Sequence, residues 1–357
     1  MTLDIPRYRL HNQFLSQTKF TEPSQVVEAL GAVQSQDYAG AKWALAQRLN
    51  DAPTDAAIET AFNDGKILRT HVMRPTWHFV TPADIRWMLD LTAPRVKRAM
   101  AHMDRQLGFD NSILKKSNAT LKKALQGNVQ LTRAELAPIL EKAGISTEGY
   151  RMGQLMGHAE LDQVICSGGR QGKQFTYALL EERAPQAKSR AREDALTELT
   201  GRYFRSHGPA TLQDFVWWSG LTTTDARNGM EAVRSEFEQE TIADQTYWFA
   251  APTTSKSSSS SAYLLPSYDE YTVGYRDRSA IFDGSHIDKL SAFRESILTQ
   301  VMVVNGEVAG TWKRTLKKRE VVVELAPFTV LDKSQNQAVL AAAQRYGSFL
   351  QLPVVLA

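Results

Sequence analysis

Residues 30–45 read Leu-Gly-Ala-Val-Gln-Ser-Gln-Asp-Tyr-Ala-Gly-Ala-Lys-Trp-Ala-Leu and are the most informative stretch of this chain. Two amides, Gln34 and Gln36, and one carboxylate, Asp37, interrupt a run that is otherwise small and apolar. A polar side chain in a buried segment must find a partner, because an unsatisfied one costs about 1–3 kcal/mol of desolvation. The cluster therefore indicates either a satisfied structural network or a functional site.

Residues 69–80 form a second unusual string, Arg-Thr-His-Val-Met-Arg-Pro-Thr-Trp-His-Phe-Val. Polar and apolar residues alternate along it, which predicts two strands, 67–73 and 76–80, paired across Arg74-Pro75. Its two histidines would lie on opposite faces if the strand were continuous. No third type of metal ligand clusters with them, so we expect no metal here.

The composition is that of an ordinary globular protein, with 43% hydrophobic and 23% charged residues. A length of 357 residues exceeds one ordinary core and predicts roughly two to four folded units. The single cysteine, Cys166, excludes an internal disulfide and a thiolate-rich metal site. Without a signal-peptide or membrane-spanning pattern, we expect a cytoplasmic bacterial protein with no cofactor and no metal.

The net charge of +3 is too small to indicate a polyanionic partner, but the basic residues are clustered. One cluster spans residues 86–123, and a second consists of Lys313, Arg314, Lys317, Lys318 and Arg319. Such clusters are either solvated helix faces or a groove for a phosphate backbone. The second interpretation requires that the clusters converge in the fold.

Residues 131–179 follow a pattern of helix, turn, helix and hairpin. Thr132 and Glu135 predict a capping box at the start of a helix that ends near Gly144. A second helix is expected over 150–161, and two strands around a glycine-rich turn over 164–179. This order of elements is typical of a winged helix, a helix-turn-helix with an added β-ribbon.

The same pattern recurs from residue 191 and, less cleanly, over residues 25–80. Towards the C-terminus, Asn305-Gly306 predicts a hairpin turn between strands, and a last helix is expected over 334–351. We therefore predict an α+β fold of three tandem winged-helix units followed by a small antiparallel β-domain. The predicted boundaries are 1–130 for the first unit with its basic helical extension, 131–185, 186–252, a serine-rich loop at 253–261, and the β-domain at 262–357.

The two strings, together with residues 264–278 (Leu-Leu-Pro-Ser-Tyr-Asp-Glu-Tyr-Thr-Val-Gly-Tyr-Arg-Asp-Arg), resemble the AlkZ-like winged-helix DNA glycosylases. These bacterial enzymes excise alkylated and crosslinked bases, and the resemblance covers nearly the whole chain. It implies three winged helices in a C-shape around duplex DNA, closed by the β-domain. The family's catalytic Gln-x-Gln or Gln-x-Asp motif corresponds to Gln34 and Gln36, although Ser35 replaces its usual apolar middle residue.

The chemistry of glutamine agrees with this correspondence. A glutamine amide does not titrate, so it cannot act as a general acid or base. It can orient a water and stabilise a sugar cation, which suffices when the departing base already carries a positive charge. Asp37 is the nearest carboxylate and a rival for activating the water. The structural alternative is that both glutamines satisfy buried backbone groups.

Basic side chains at the expected wings and in the C-terminal part are candidate DNA contacts: Arg69, Arg74, His78, Arg170, Lys173, Arg276, Arg278, Lys313 and Arg314. The acids and arginines of 269–278 could instead form an internal ion-pair network. The expected partner is duplex DNA with alkylated or crosslinked purines, bound by a nucleoid-associated monomer away from any membrane. The alternative is a winged-helix regulator without catalysis, which would normally bind a palindrome as a dimer.

Overall fold

A computed structural model of the protein describes residues 3–250, 260–292 and 298–357. The helices, numbered α1 to α15 in chain order, span Ile5–Asn12, Pro23–Leu30, Tyr38–Ala46, Asp55–Asn63, Ile85–Gln106, Asn111–Leu125, Arg133–Lys142, Arg151–Leu161, Leu180–Arg183, Arg192–His207, Leu212–Ser219, Thr223–Val233, Glu270–Val273, Ile287–Ala292 and Lys333–Leu350. The strands, numbered β1 to β13, span Val33–Gln34, Leu68–His71, Trp77–Val80, Leu131–Thr132, Ile165–Gln171, Gln174–Leu179, Glu238–Ile242, Gln245–Phe249, Ala262–Leu265, Val301–Val304, Glu307–Leu316, Val321–Pro327 and Val354–Leu356.

Local capping chemistry fixes several helix boundaries where the sequence predicts them. The Thr132 hydroxyl accepts a hydrogen bond from the Glu135 amide, and the Glu135 carboxylate accepts one from the Thr132 amide. Gly144, just beyond the end of α7, has a φ of +74°, which glycine adopts without the steric penalty of a side chain. The predicted capping box and helix end are therefore confirmed.

The chain divides into two compact units, and residues 60–196 with 219–221 form one of them. In this unit β2 and β3 pair antiparallel as expected, with His71 opposite Trp77 and His78 opposite Thr70. Strands β4, β6 and β5 form a second small sheet, in that order. A hydrophobic core of this unit consists of buried leucines, methionines and other apolar residues from α6, α7, α8 and the β5–β6 hairpin. The chain turns between β2 and β3, so the two histidines lie on different strands.

Residues 1–59, 197–218 and 222–357 form the other unit. Its five-stranded sheet has the order β13-β12-β11-β10-β9 and is antiparallel except between β12 and β13, which run parallel. Asn305 and Gly306 have φ values of +54° and +96° and make the predicted turn between β10 and β11. Helix α15 packs on β9 and β10. The C-terminal region is thus a small, mainly antiparallel β-structure.

Two predicted segments lie partly outside the described residues. Of the serine-rich loop at 253–261, the structure describes only residues 260 and 261, and of the predicted strand at 296–305 it describes residues 298–305. The predicted unit boundaries and winged-helix assignments remain predictions. Within the ranges described, no helix is long and apolar enough to cross a membrane.

Candidate active site

The Gln34 segment connects helix α2 to helix α3. Helix α2 ends at Leu30, and Gly31 follows with a φ of +83°, a left-handed conformation that favours glycine. A Cβ at Gly31 would lie 3.2 Å from Cη2 of Trp218. Strand β1 follows, and Gln34 is its last residue. Residues 34–37 are not helical.

The polar side chains of this segment differ in exposure. Gln34 is 6% exposed and Ser35 is fully buried, whereas Gln36 is exposed. Asp37 is the N-cap of α3, and its Oδ1 accepts a hydrogen bond from the Gly40 amide at 3.0 Å. Arg314 Nη2 lies 3.8 Å from Asp37 Oδ2. Both oxygens of the rival base therefore have partners, and one of them caps a helix.

Aromatic packing and a hydrogen bond fix helix α3 to the C-terminal part of its unit. The Trp43 ring packs against Tyr346 and Phe349 of α15, at centroid distances of 5.2 and 5.1 Å. The Trp43 indole N–H donates to the Leu264 carbonyl at 2.7 Å. These contacts fix the start of α3, and with it the segment that carries Gln36 and Asp37.

Glu270, the first residue of α13, binds the backbone of Gln34. Its Oε1 accepts a hydrogen bond from the Gln34 amide at 2.9 Å. Its Oε2 accepts one from the Trp218 indole N–H at 2.9 Å and lies 3.3 Å from His207 Nε2. The carboxylate is 1% exposed. It therefore connects the Gln34 segment to residues of α10 and α11.

Four charged side chains near this point are almost completely buried. Arg9, Arg48, Asp269 and Glu270 are each about 1% exposed. Arg48 binds Asp269 with two hydrogen bonds, of 2.7 and 2.9 Å. The Arg9 guanidinium carbon lies 3.6 Å from the centre of the Tyr275 ring, and Arg9 Nε donates to the Pro209 carbonyl. The opposite charges of Arg48 and Asp269 compensate each other, which reduces the cost of burying them.

His207 is neutral in this environment. Burial lowers its pKa, and Arg48 and Arg9 lower it further, while Glu270 opposes the shift. A carboxylate only accepts hydrogen bonds, so the neutral imidazole carries its proton on Nε2 towards Glu270. Its Nδ1 lies 2.8 Å from the Ser206 hydroxyl oxygen, which also donates to the Arg202 carbonyl at 2.7 Å. His207 also stacks on Tyr203 at a centroid distance of 4.7 Å.

A cavity of about 280 Å³ in the unit formed by residues 60–196 and 219–221 is lined by basic and aromatic side chains: Arg69, Trp77, Arg133, Lys173, Phe175 and Tyr177. The Arg69 guanidinium carbon lies 4.3 Å from the Trp77 ring centre and 4.4 Å from that of Phe175. Arg133 donates to the Tyr177 hydroxyl at 2.8 Å. The structure thus brings together Arg69 and Lys173, two of the predicted DNA contacts, and adds Arg133.

The other predicted wing residues are partly engaged within the protein. The Arg170 guanidinium lies over the Phe175 ring at 4.1 Å and donates to the Lys173 carbonyl. Arg74 Nη2 is 3.5 Å from His78 Nε2. His78 itself is buried. Arg170 lies in β5, and Lys173 lies in the turn between β5 and β6.

A buried carboxylate in the same unit supports the β2 strand. Glu160 accepts hydrogen bonds from the His71 amide at 2.8 Å and from His71 Nδ1 at 2.6 Å. Burial alone would raise the Glu160 pKa, but His71 and Arg69 outweigh burial and the pKa is lowered. Glu160 is therefore an anion that fixes the strand carrying Arg69.

The predicted contacts of the C-terminal region also have internal partners. Arg276 Nη1 donates to the Gln213 side-chain oxygen at 3.4 Å, and Arg278 Nε donates to the Thr272 carbonyl at 2.7 Å. Arg314 donates to the Tyr346 hydroxyl at 2.8 Å, whereas Lys313 is exposed. In the 86–123 cluster, Lys97 and Lys122 form ion pairs with Asp162 and Glu181. The pairing of these two lysines with acidic side chains agrees with the interpretation of the 86–123 cluster as a solvated helix face.

A family model described as DNA glycosylase AlkZ-like matches residues 27–349 of the chain. The chain belongs to the AlkZ-like family. A curated relative from Streptomyces sahachiroi, named interstrand DNA cross-link repair glycosylase, is 24% identical and covers 97% of this chain and 96% of its own length. The solved structure of the Streptomyces sahachiroi DNA glycosylase AlkZ matches with a TM-score of 0.81 at 21% identity, over 99% of this chain and 98% of that one.

Family membership confirms the enzyme class expected from the sequence. This AlkZ-like protein is a DNA glycosylase, which hydrolyses N-glycosidic bonds in DNA, and the alternative of a regulator without catalysis is set aside. The structural match confirms the mixed α+β fold. Sequence reasoning missed Glu270, His207, Arg48 and Arg133. Glu270 lies inside the quoted 264–278 string, but nothing in that string indicates its partner 236 residues away.

Proposed function

We propose that this AlkZ-like glycosylase hydrolyses the N-glycosidic bond of cationic N3- and N7-alkylated purines in duplex DNA, including purines in interstrand crosslinks. Gln34 and Gln36 position the attacking water and stabilise the positive charge that develops on the sugar. The observation that carries this proposal is the pair of non-titrating amides in a non-helical segment, one of them anchored through its backbone to a buried carboxylate.

The chemistry of the site favours a base that is already a good leaving group. Neither glutamine can protonate a departing base, because an amide has no acidic proton near neutral pH. An N7- or N3-alkylated purine carries a positive charge and leaves without protonation. Asp37 is the nearest carboxylate, and its oxygens already contact the Gly40 amide and Arg314. Its role as helix cap supports the assignment of the water to the glutamines.

DNA binding is proposed to depend mainly on phosphate contacts, which give affinity without sequence preference. The basic residues proposed for this role are Arg69, Arg74, Arg170 and Lys173 in one unit, with the buried His78 beside Arg74, and Arg276, Arg278, Lys313 and Arg314 in the other. Arg133 joins the first group because it lines the same cavity as Arg69 and Lys173. The protein is proposed to act as a monomer in the cytoplasm, close to the nucleoid.

The test is base release from a duplex with a single N7-methylguanine, measured under single-turnover conditions. Gln34→Ala and Gln36→Ala should slow release about 100- to 1,000-fold, by analogy with removal of one oxyanion-hole donor. The Kd for the same duplex should stay near the wild-type value, since an interaction made only in the transition state does not contribute to substrate binding. Gln36→Asp should remain active, because a carboxylate can hold the same water.

Asp37→Asn is the matched variant for the rival assignment, since asparagine is also a good N-cap. If Asp37→Asn abolishes release in folded protein while both glutamine variants stay active, Asp37 is the base and the proposed mechanism is wrong. A duplex with a neutral uracil is the substrate control and should release no base. A crosslinked duplex should be unhooked by the wild type and not by Gln34→Ala. Wild-type protein that releases no methylated purine would refute the proposed substrate.

A further inference from the structure

We propose that Glu270 is a positioning residue for base excision, and that its carboxylate sets the place of Gln34 by binding the Gln34 backbone. The inference rests on the proposed role of Gln34. Glu270 acts through a main-chain hydrogen bond and does not itself contact DNA or the water. The structural basis is the set of three groups that its two oxygens contact: the Gln34 amide, the Trp218 indole and the His207 imidazole.

The two carboxylate oxygens of Glu270 contact different groups. Oε1 accepts from the Gln34 amide at 2.9 Å, while Oε2 accepts from the Trp218 indole N–H at 2.9 Å and faces His207 Nε2 at 3.3 Å. Trp218 and His207 are fully buried, so neither side chain can move without repacking the core. Residues of α10 and α11 therefore hold the carboxylate in place, and the carboxylate in turn holds the amide of Gln34.

The bond to Glu270 adds a restraint at Gln34, where the strand β1 is short. Strand β1 contains only Val33 and Gln34, and it follows Gly31, which has a left-handed backbone conformation. Glycine has the widest conformational freedom, so the link to α2 does not restrain the segment by itself. A displacement of about 1 Å at a reacting group can cost on the order of 100-fold in rate. Glu270 is placed to prevent such a displacement.

A side chain with two acceptor oxygens is required here, because the Gln34 amide and the Trp218 indole both present N–H groups. In Glu270→Gln the amide has one acceptor oxygen and one NH₂ group. If the oxygen accepts from Gln34, the NH₂ group faces the indole N–H of Trp218. If the amide is reversed, the NH₂ group faces the N–H of Gln34. In both orientations two donors meet, so the contact with Gln34 is weakened although the side chain keeps its size.

This conflict predicts a specific rescue. Trp218→Phe removes the indole N–H, so the glutamine of Glu270→Gln can accept from Gln34 and still find a partner for its NH₂ group. That partner is His207, because a neutral imidazole can move its proton to Nδ1, bind the Ser206 hydroxyl and accept at Nε2. The double variant should therefore regain excision while losing stability, since the core loses part of an indole ring.

The experiment measures single-turnover release of N7-methylguanine, the Kd for the duplex and the thermal midpoint for each variant. Glu270→Gln should slow release about 10- to 100-fold with Kd within about two-fold of wild type. Glu270→Gln/Trp218→Phe should be at least about five-fold faster than Glu270→Gln despite a lower thermal midpoint. A purely structural role would make the less stable double variant the slower of the two.

Asp84→Asn is the matched control. Asp84 is also buried, at 2% exposure, and accepts from the Trp87 indole N–H at 2.9 Å and from the Thr81 hydroxyl at 2.7 Å. The substitution likewise changes a buried carboxylate that accepts from an indole N–H, but here the Thr81 hydroxyl can accept from the new amide group, and Asp84 is not among the groups that bind the Glu270 carboxylate. Its rate of base release should equal that of the wild type.

Three kinetic results would overturn the proposal: excision by Glu270→Gln within about two-fold of wild type, a double variant no faster than Glu270→Gln, or an equal loss in Asp84→Asn. Amide hydrogen exchange supplies a readout that does not depend on activity. Exchange of the Gln34 amide should be at least about ten-fold faster in Glu270→Gln. If the wild type releases no base, the proposed function fails, whereas unchanged exchange at Gln34 refutes the role of Glu270.

Discussion

The buried ion pair between Arg48 and Asp269 should be one of the most sensitive points of the fold. Both side chains are about 1% exposed, and the guanidinium binds the carboxylate through hydrogen bonds of 2.7 and 2.9 Å. Arg48 also donates to the carbonyls of Gln13 and Ala44 and to the Gln13 side chain. Arg48→Met keeps the length of the side chain but leaves Asp269 as a buried charge without its cation.

Removing one partner of a buried pair typically costs about 3–5 kcal/mol, because the remaining charge is desolvated without compensation. With a urea m-value of about 3 kcal/mol/M, this loss lowers the unfolding midpoint by roughly 1–1.7 M. The double variant Arg48→Met/Asp269→Asn has no buried unpaired charge. Its loss should be smaller than the sum of the two single losses by about 1–3 kcal/mol.

The assay is urea unfolding followed by far-ultraviolet circular dichroism. Lys317→Met is the control, since Lys317 pairs with Glu320 at 2.8 Å but both side chains are at least one-third exposed. An exposed pair contributes at most about 1 kcal/mol, so this variant should unfold close to the wild-type midpoint. If Arg48→Met costs no more than Lys317→Met, or if the double variant shows no coupling, the account of the buried pair is refuted.

Three other measurements test separate features. Burial lowers the pKa of His207 below its ordinary 6.5; Arg48 and Arg9 lower it further, and Glu270 opposes the shift. As the pH falls, the unfolded chain therefore binds a proton at His207 before the folded protein does. The free energy of unfolding should be highest above pH 6.5. Below pH 6.5 it should decrease by up to about 1.4 kcal/mol for each pH unit, and the variant His207→Asn should not show this decrease. Burial raises the pKa of Cys166 to about 12, so a disulfide reagent at pH 8 should label it only after unfolding, and rapid labelling of native protein would contradict this. Arg133→Ala should reduce the slope of log Kd against log salt by about 0.9, whereas Arg151→Ala, outside the cavity, should leave the slope unchanged.

The sequence predicted best those parts of the structure that depend on neighbouring residues. Thr132 and Glu135 form their capping box three residues apart, and Asn305-Gly306 makes its turn, because each feature is decided by local backbone chemistry. The β2–β3 hairpin and the long C-terminal helix follow from periodicity in the same way. Family-level motifs then identified the enzyme class.

Contacts between segments that are distant in the sequence could not be predicted from the sequence alone. The bond between Glu270 and Gln34 joins residues 236 positions apart, and Arg133 comes near Trp77 only through packing. Asp269 of the string 269–278 does form an ion pair inside the protein. Its partner is Arg48, which lies outside the string in an unremarkable part of the sequence. A single sequence shows which residues are polar and in which order, but not which distant residue satisfies each of them.

The separation between Gln34 and its anchor has a consequence for the newly made protein. Synthesis proceeds at about 5–20 residues per second, so Glu270 is added on the order of 10–50 seconds after Gln34. During that interval a nascent chain carries both glutamines without the carboxylate that binds the Gln34 backbone. A fragment released before residue 270 would likewise contain the motif without its anchor. On this proposal, competence to excise bases would arise only after about three-quarters of the chain has been made.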